Sequence, residues 1–81
     1  MLNIKILGSG CANCKRLEAM TREVVGTLGL DAEFKKVTDY TEIMQYPILA
    51  TPGLVLNEQV VSSGRIPSKT EIEAWLKQAT G

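Results

Sequence analysis

The hydrophobic period of this chain changes between residues 8 and 15. Upstream, Leu2-Asn3-Ile4-Lys5-Ile6-Leu7 alternates with the period of a strand, and Leu7 adds apolar character to the second face, as in the middle of a sheet. Downstream, Leu17, Met20, Val24 and Leu28 recur at helical spacing with Val25 beside them, while Lys15, Glu18, Arg22 and Glu23 fall on the wetter side. The junction, Gly8-Ser9-Gly10-Cys11-Ala12-Asn13-Cys14-Lys15, holds both cysteines of the chain. A strand that enters a helix through two thiols separated by two residues is a redox signature when the surrounding pattern is β-α-β.

The spacing suits the chemistry. A disulfide needs Cα atoms about 4.4–6.8 Å apart, and residues three apart on the first helical turn meet that requirement. Cys11 and Cys14 can therefore bond or separate without rearranging the backbone. The first helical turn carries free N–H groups and a partial positive charge. A thiolate there is stabilised, and its pKa falls below the free value of about 8.5. Cys11, nearer the helix start, is expected to be the exposed nucleophile, and Cys14, one turn in, the more buried resolving thiol. Gly8 and Gly10 are expected to let the loop turn sharply and leave Cys11 accessible. Other uses of the pair remain open on these residues alone. A structural pair of buried cysteines is common in cores. A structural zinc site needs four Cys or His ligands, and the chain has no histidine and no third cysteine. A soft metal ion such as Cu(I) needs only the two thiolates.

At 81 residues with 44% apolar composition, one domain spanning 1–81 with a small core is expected. Nine basic and nine acidic residues cancel, so no nucleic-acid or anionic-membrane surface is indicated. The apolar runs are too short to span a membrane, and the amino terminus lacks the apolar core of a secretory signal. A reversible dithiol with no further cysteines fits the cytoplasm better than a disulfide-stapled secreted scaffold.

The remaining chain reads in order. Gly29 is a helix stop. Ala32 to Val37 forms a second strand with Phe34 as anchor, parallel to the first through a right-handed crossover. Asp39 and Glu42 form a capping box for a short helix with Tyr40, Ile43 and Met44 on its apolar side, ended by Pro47. Tyr40 and Tyr46 are expected to pack with their hydroxyls in water. Leu54-Val55-Leu56 and Gln59 to Ser62 form a hairpin turned at Asn57-Glu58. Ser68 and Glu71 cap a last helix whose buried stripe is Ile72, Trp75, Leu76 and Ala79. The element order is β-α-β-α-β-β-α: an α/β chain with a four-stranded mixed sheet flanked by helices.

This order, with Cys11-Ala12-Asn13-Cys14 after the first strand and Thr51-Pro52 before the third, resembles the thioredoxin fold in its minimal, glutaredoxin-like form. More closely, the chain resembles the small thioredoxin-like redox-active disulfide proteins of archaea and bacteria. They share a Gly-x-Gly-Cys-x-x-Cys start, a Pro-Gly step (here Pro52-Gly53) and a Gly-Arg before the last helix (here Gly64-Arg65). The resemblance implies a thiol–disulfide oxidoreductase with Cys11 and Cys14 catalytic and no metal or organic cofactor. It implies a cis Thr51-Pro52 bond beside the disulfide, with the Thr51 backbone pairing the incoming substrate strand. Gly10 and Gly64 join Thr51 and Pro52 as expected substrate-binding positions. The chain departs from its larger relatives. Gly10 replaces the Trp of Trp-Cys-Gly-Pro-Cys, Ala12-Asn13 replaces Gly-Pro, and no acidic residue is placed below the second cysteine. The Gly-Gly and Asp that hold glutathione in glutaredoxins are reduced to Gly64. The implied partners are a disulfide-containing protein substrate and, as reductant, a flavoprotein disulfide reductase. The competing expectation is a soft-metal or metalloid carrier using the same two thiolates. Carriers of that kind have the order β-α-β-β-α-β, with a hairpin, a helix and a terminal strand in the second half.

Overall fold

A computed structural model describes residues 2–8, 12–48 and 50–80. Its elements are β1 (Leu2–Leu7), α1 (Ala12–Leu28), β2 (Ala32–Val37), α2 (Tyr40–Ile43), β3 (Gly53–Leu56), β4 (Gln59–Ser63) and α3 (Lys69–Thr80). Among the described residues the strands form one sheet of order β2-β1-β3-β4, with β1 parallel to β2 and the β3–β4 hairpin antiparallel to β1. The expected fold is the observed one, and its second half ends in a hairpin and a helix rather than the carrier's terminal strand.

Alternation along β1 divides the core. Leu2, Ile4 and Ile6 meet Leu17, Val24 and Val25 of α1 and Ile72 and Leu76 of α3 on one sheet face. Leu7 faces the other way, into a smaller cluster with Val37, Ile43 and Val55. The stripe on α1 is wider than its apolar residues alone mark. Thr21 is fully buried because its hydroxyl donates to the carbonyl of Leu17 at 2.8 Å, which removes the cost of burying it.

Local chemistry fixes the element ends. Gly29, at φ +67°, closes α1 in a Schellman motif: Leu30 N–H donates to Val25 O at 3.1 Å and Gly29 N–H to Gly26 O at 3.2 Å. Asn57 and Glu58 both take positive φ, as a two-residue type I′ hairpin demands. Inside α1, Gly26 is exposed and a Cβ there would meet nothing within 4 Å. Gly26→Ala should stabilise the chain by about 1 kcal/mol and raise its Tm by roughly 4–8 °C in a thermal melt. An unchanged Tm would mean that this turn is not helical in solution.

The cap of α3 is the complete reciprocal box: Glu71 N–H donates to Ser68 Oγ at 3.2 Å and Ser68 N–H to Glu71 Oε1 at 3.1 Å. Arg65 adds a bidentate pair to the same carboxylate at 3.1 and 2.8 Å. The bonds from Arg65, and then the Ser68 backbone N–H, hold the Glu71 carboxyl down at about 2, against an ordinary 4.5. Folding depresses this pKa, so its contribution to stability is present above pH 4.5 and lost as pH falls toward about 2. An acid titration followed by fluorescence of Trp75, the single tryptophan, should show that loss, and Glu71→Gln should flatten the curve.

The short helix departs from expectation. Asp39 caps it by accepting from Thr41 N–H at 2.8 Å, but the helix closes at Ile43, ahead of Pro47. Only Ile43 is buried; Tyr40 and Met44 stand in solvent. Four residues make barely one turn, so a single side chain reaches the sheet. Tyr46 does pack, half-buried, but its hydroxyl, expected in water, accepts from Lys5 Nζ at 3.0 Å and donates to Glu58 Oε2 at 3.2 Å. Lys5 also pairs with Glu58 directly.

Candidate functional site

Antiparallel pairing brings the carboxyl end of β1 beside the amino end of β3, because Leu7 stands opposite Gly53. The segments flanking these ends, Gly8 after β1 and Thr51-Pro52 before β3, are thereby neighbours. The helix that follows β1 returns over them. Cys14 lies within the first turn of α1 and is 5% exposed. It is disulfide-bonded. Cys11, the other cysteine of the sequence, lies outside the described residues, as does Gly10.

Gly8 lies where these parts meet. Its N–H donates to Val37 O at 2.9 Å, which continues the parallel ladder one residue past the strand. A Cβ built on Gly8 would overlap Cys14 Sγ, stand 3.2 Å from Cys14 Cβ and 3.9 Å from Thr51 Cβ. The expected role of Gly8 was a sharp turn. Its observed role is close approach: the absent side chain makes the space that the Cys14 sulfur fills.

The peptide bond between Thr51 and Pro52 is cis. Pro52 is buried and Thr51 exposed. Gly64 takes φ +74°, and its N–H donates to Pro52 O at 2.9 Å. A Cβ on Gly64 would come 3.3 Å from Ala50 Cβ, so its positive φ and the tight approach both call for glycine. The structure therefore brings Cys14, Thr51, Pro52 and Gly64 to one end of the sheet.

On the other side of Cys14 lies a hollow of 40 Å³ lined by Ile6, Gly8, Cys14, Lys15, Glu18, Lys36 and Thr38. That is room for water, with polar partners to hold it. Glu18 follows Cys14 by four residues, one helical turn, and its side chain is 15% exposed. Lys36 Nζ reaches it from β2 at 3.2 Å and Arg22 Nη2 from the next turn at 3.0 Å. Partial burial pushes the Glu18 carboxyl up, but the bonds from Lys36 and Arg22 outweigh that and hold it below the ordinary range. An ionised carboxylate thus shares a small hollow with the buried cysteine. From periodicity alone Glu18 falls on the wetter face of the helix, and no acid is expected near Cys14. The i,i+4 spacing was visible, but the partner lysine comes from a distant strand, opposite Ile6 in the parallel register.

Chemically, this end of the molecule offers a disulfide at a helix start, a cis-proline segment with an exposed residue before it, and an acidic side chain one turn below the buried sulfur. No helix among the described residues is long and apolar enough to cross a membrane. A sequence model of the thioredoxin domain matches residues 2–77. The chain is 44% identical over 76 residues to a protein named thioredoxin from Methanothermobacter thermautotrophicus, covering 94% of this chain and 99% of that one. It is 40% identical over 77 residues to a thioredoxin from Methanocaldococcus jannaschii, covering 95% and 88% respectively.

Proposed function

The chain belongs to the thioredoxin domain family, and on that premise we propose that it reduces protein disulfides through a Cys11–Cys14 couple. The observation that carries this reading is the disulfide-bonded Cys14, buried one turn into α1 and separated from the cis Thr51-Pro52 segment only by Gly8. The sequence holds two cysteines, so Cys11 is the intramolecular partner we assign to it.

In the reduced protein the Cys11 thiolate attacks one sulfur of a substrate disulfide. A Cys11–substrate S–S bond forms, the substrate S–S bond breaks, and one substrate thiolate leaves and is protonated by solvent. Cys14 then loses its proton and attacks the Cys11 sulfur. The mixed disulfide breaks, the second substrate thiolate leaves, and the Cys11–Cys14 bond remains. The substrate has gained two electrons and the protein has lost them. Burial disfavours the Cys14 thiolate, so its proton needs a route out. We assign that route to the hollow beside Glu18 and Lys36, where an ionised carboxylate and an ammonium can orient water at the sulfur. Thr51, exposed ahead of the cis bond, would offer its backbone to the substrate strand, with Pro52, Gly64 and Gly10 shaping the approach. The reaction uses no metal or organic cofactor.

A flavoprotein disulfide reductase in the cytoplasm would return the electrons. The test is insulin reduction driven by dithiothreitol, then by NADPH with a flavoprotein reductase, then by glutathione. Catalysis with the first two but not the third is expected. Acceleration by glutathione alone would refute the partner assignment, and absence of catalysis with any of them would refute the function.

A further inference from the structure

Lys5 stands where a lysine is poorly suited. It is in the middle of β1, a central strand, between Lys35 of β2 and Val55 of β3. Such positions favour β-branched and aromatic residues, and like charges side by side on neighbouring strands repel. Its side chain is only 23% exposed. Two distant segments hold it there. The Tyr46 hydroxyl accepts from its ammonium at 3.0 Å, and Glu58 pairs with the same ammonium directly. The hydroxyl donates in turn to Glu58 Oε2 at 3.2 Å, and the ammonium lies 5.7 Å from the centre of the Tyr46 ring. Glu58 does this from φ +68°, at the second central position of the hairpin turn, where glycine is usual. Glu58 first, and Tyr46 after it, hold the Lys5 ammonium above its ordinary range, and Lys5 holds the Glu58 carboxyl below its own. The pair therefore stays ionised at neutral pH.

Tyr46 stands at the head of the connection that leads to the cis bond. No described residue from 46 to 52 belongs to a helix or a strand, so regular backbone ladders do not fix this segment. Its far end is tied by the bond from Gly64 N–H to Pro52 O at 2.9 Å. Its near end is tied by the Tyr46 hydroxyl to the middle of β1, the strand that runs on to Gly8 and the Cys14 sulfur. Between the two, Ile48 N–H donates to Tyr46 O at 2.8 Å, and the Ile48 side chain rests on the cluster of Leu7, Val37, Ile43 and Val55. Thr51, five residues beyond Tyr46, is exposed. Releasing the near end would let the backbone ahead of the cis bond shift against the disulfide. Cys14, held by the first turn of α1 and by Gly8, would stay where it is.

We propose that the Lys5–Tyr46–Glu58 cluster positions the Thr51 backbone for an incoming polypeptide, with Tyr46 as the positioning residue. The inference rests on the oxidoreductase reading, and the experiment separates the two. The pre-reduced chain is mixed with excess disulfide peptide, and its oxidation is followed by alkylating the remaining thiols and weighing the products. This gives a limiting rate and a half-saturating peptide concentration. Hydroxyethyl disulfide, which has no backbone to pair with Thr51, is the second substrate. Tyr46→Phe removes the hydroxyl, and Lys5→Met removes the ammonium while keeping an unbranched side chain. Each should raise the half-saturating peptide concentration about fivefold, the size of one ordinary hydrogen bond. The limiting rate, the rate with hydroxyethyl disulfide and the reduction potential should not move. The double variant should rise no further than either single one, because the groups act as one unit.

Tyr46→Phe with wild-type half-saturation overturns the proposal. So does an equal loss on both substrates, which would place the effect on the disulfide or on the fold. A double variant whose rise is the product of the single ones overturns it too, since the groups would then act separately. Thermal melts check that the variants fold. If one does not, the other decides the question, and if neither folds, the cluster serves stability and the proposal is overturned. If hydroxyethyl disulfide cannot oxidise the pre-reduced wild-type chain at all, the oxidoreductase reading fails first and the proposal falls with it.

Discussion

Gly8→Ala should be the most damaging single-methyl change in this protein. The added carbon would overlap Cys14 Sγ and press on Cys14 Cβ, in a backbone fixed by the bond from Gly8 N–H to Val37 O. Neither neighbour can yield cheaply. Cys14 is held in the first turn of α1, and Gly8 is held in the sheet. Overpacking of this kind costs about 1–3 kcal/mol, which should lower the Tm by several degrees at least. The larger effect should fall on catalysis. Displacing a reacting group by about 1 Å can cost on the order of 10²-fold in rate, and the start of α1 must move to accommodate the methyl. The two readouts are a thermal melt and dithiothreitol-driven insulin reduction. A Gly8→Ala protein with wild-type melting and turnover would show that the close approach of Gly8 to the disulfide does not exist in solution.

The second large effect concerns the division of labour between the sulfurs. Cys14→Ser should still form the first bond with a substrate and then stop, since nothing remains to release it. Intact mass spectrometry should find one substrate thiol added to each chain, mapped to Cys11, with turnover reduced to background. Cys11→Ser should behave otherwise. Its surviving thiol at position 14 is buried, out of reach of a folded substrate and disfavoured as a thiolate. Adducts there should form far more slowly. Equal adduct formation in the two variants would reverse the assignment of roles while leaving the couple itself intact.

Why some of this was legible from residues alone follows from the range of the interactions. The alternation of Leu2, Ile4 and Ile6, the stripe of Leu17, Val24 and Val25, and the reciprocal cap of Ser68 on Glu71 are local patterns. Each is written within a few residues, and each appears where its period places it. The features that were missed are set by residues far apart in sequence. Gly8 reads as a turn glycine until the Cys14 sulfur is seen against it. Glu18 reads as a solvated acid until Lys36, across the β1–β2 pairing, turns it toward the hollow. Tyr40 and Met44 read as an apolar face seeking a core, but α2 is too short to bury more than Ile43. The cis bond before Pro52 was expected only through resemblance; a proline at a strand start is otherwise read as trans, and the tertiary setting fixes the isomer.

The central claim is that one exchangeable couple joins positions 11 and 14 within a single chain. It is tested most directly by equilibrating the protein across a series of dithiothreitol ratios, blocking free thiols with an alkylating agent and weighing the products. The expected result is a single two-electron transition, about 30 mV per tenfold change in the ratio, in which every chain carries either two alkyl groups or none. Chains carrying one group, a covalent dimer, or a pair that stays reduced at every ratio would contradict it.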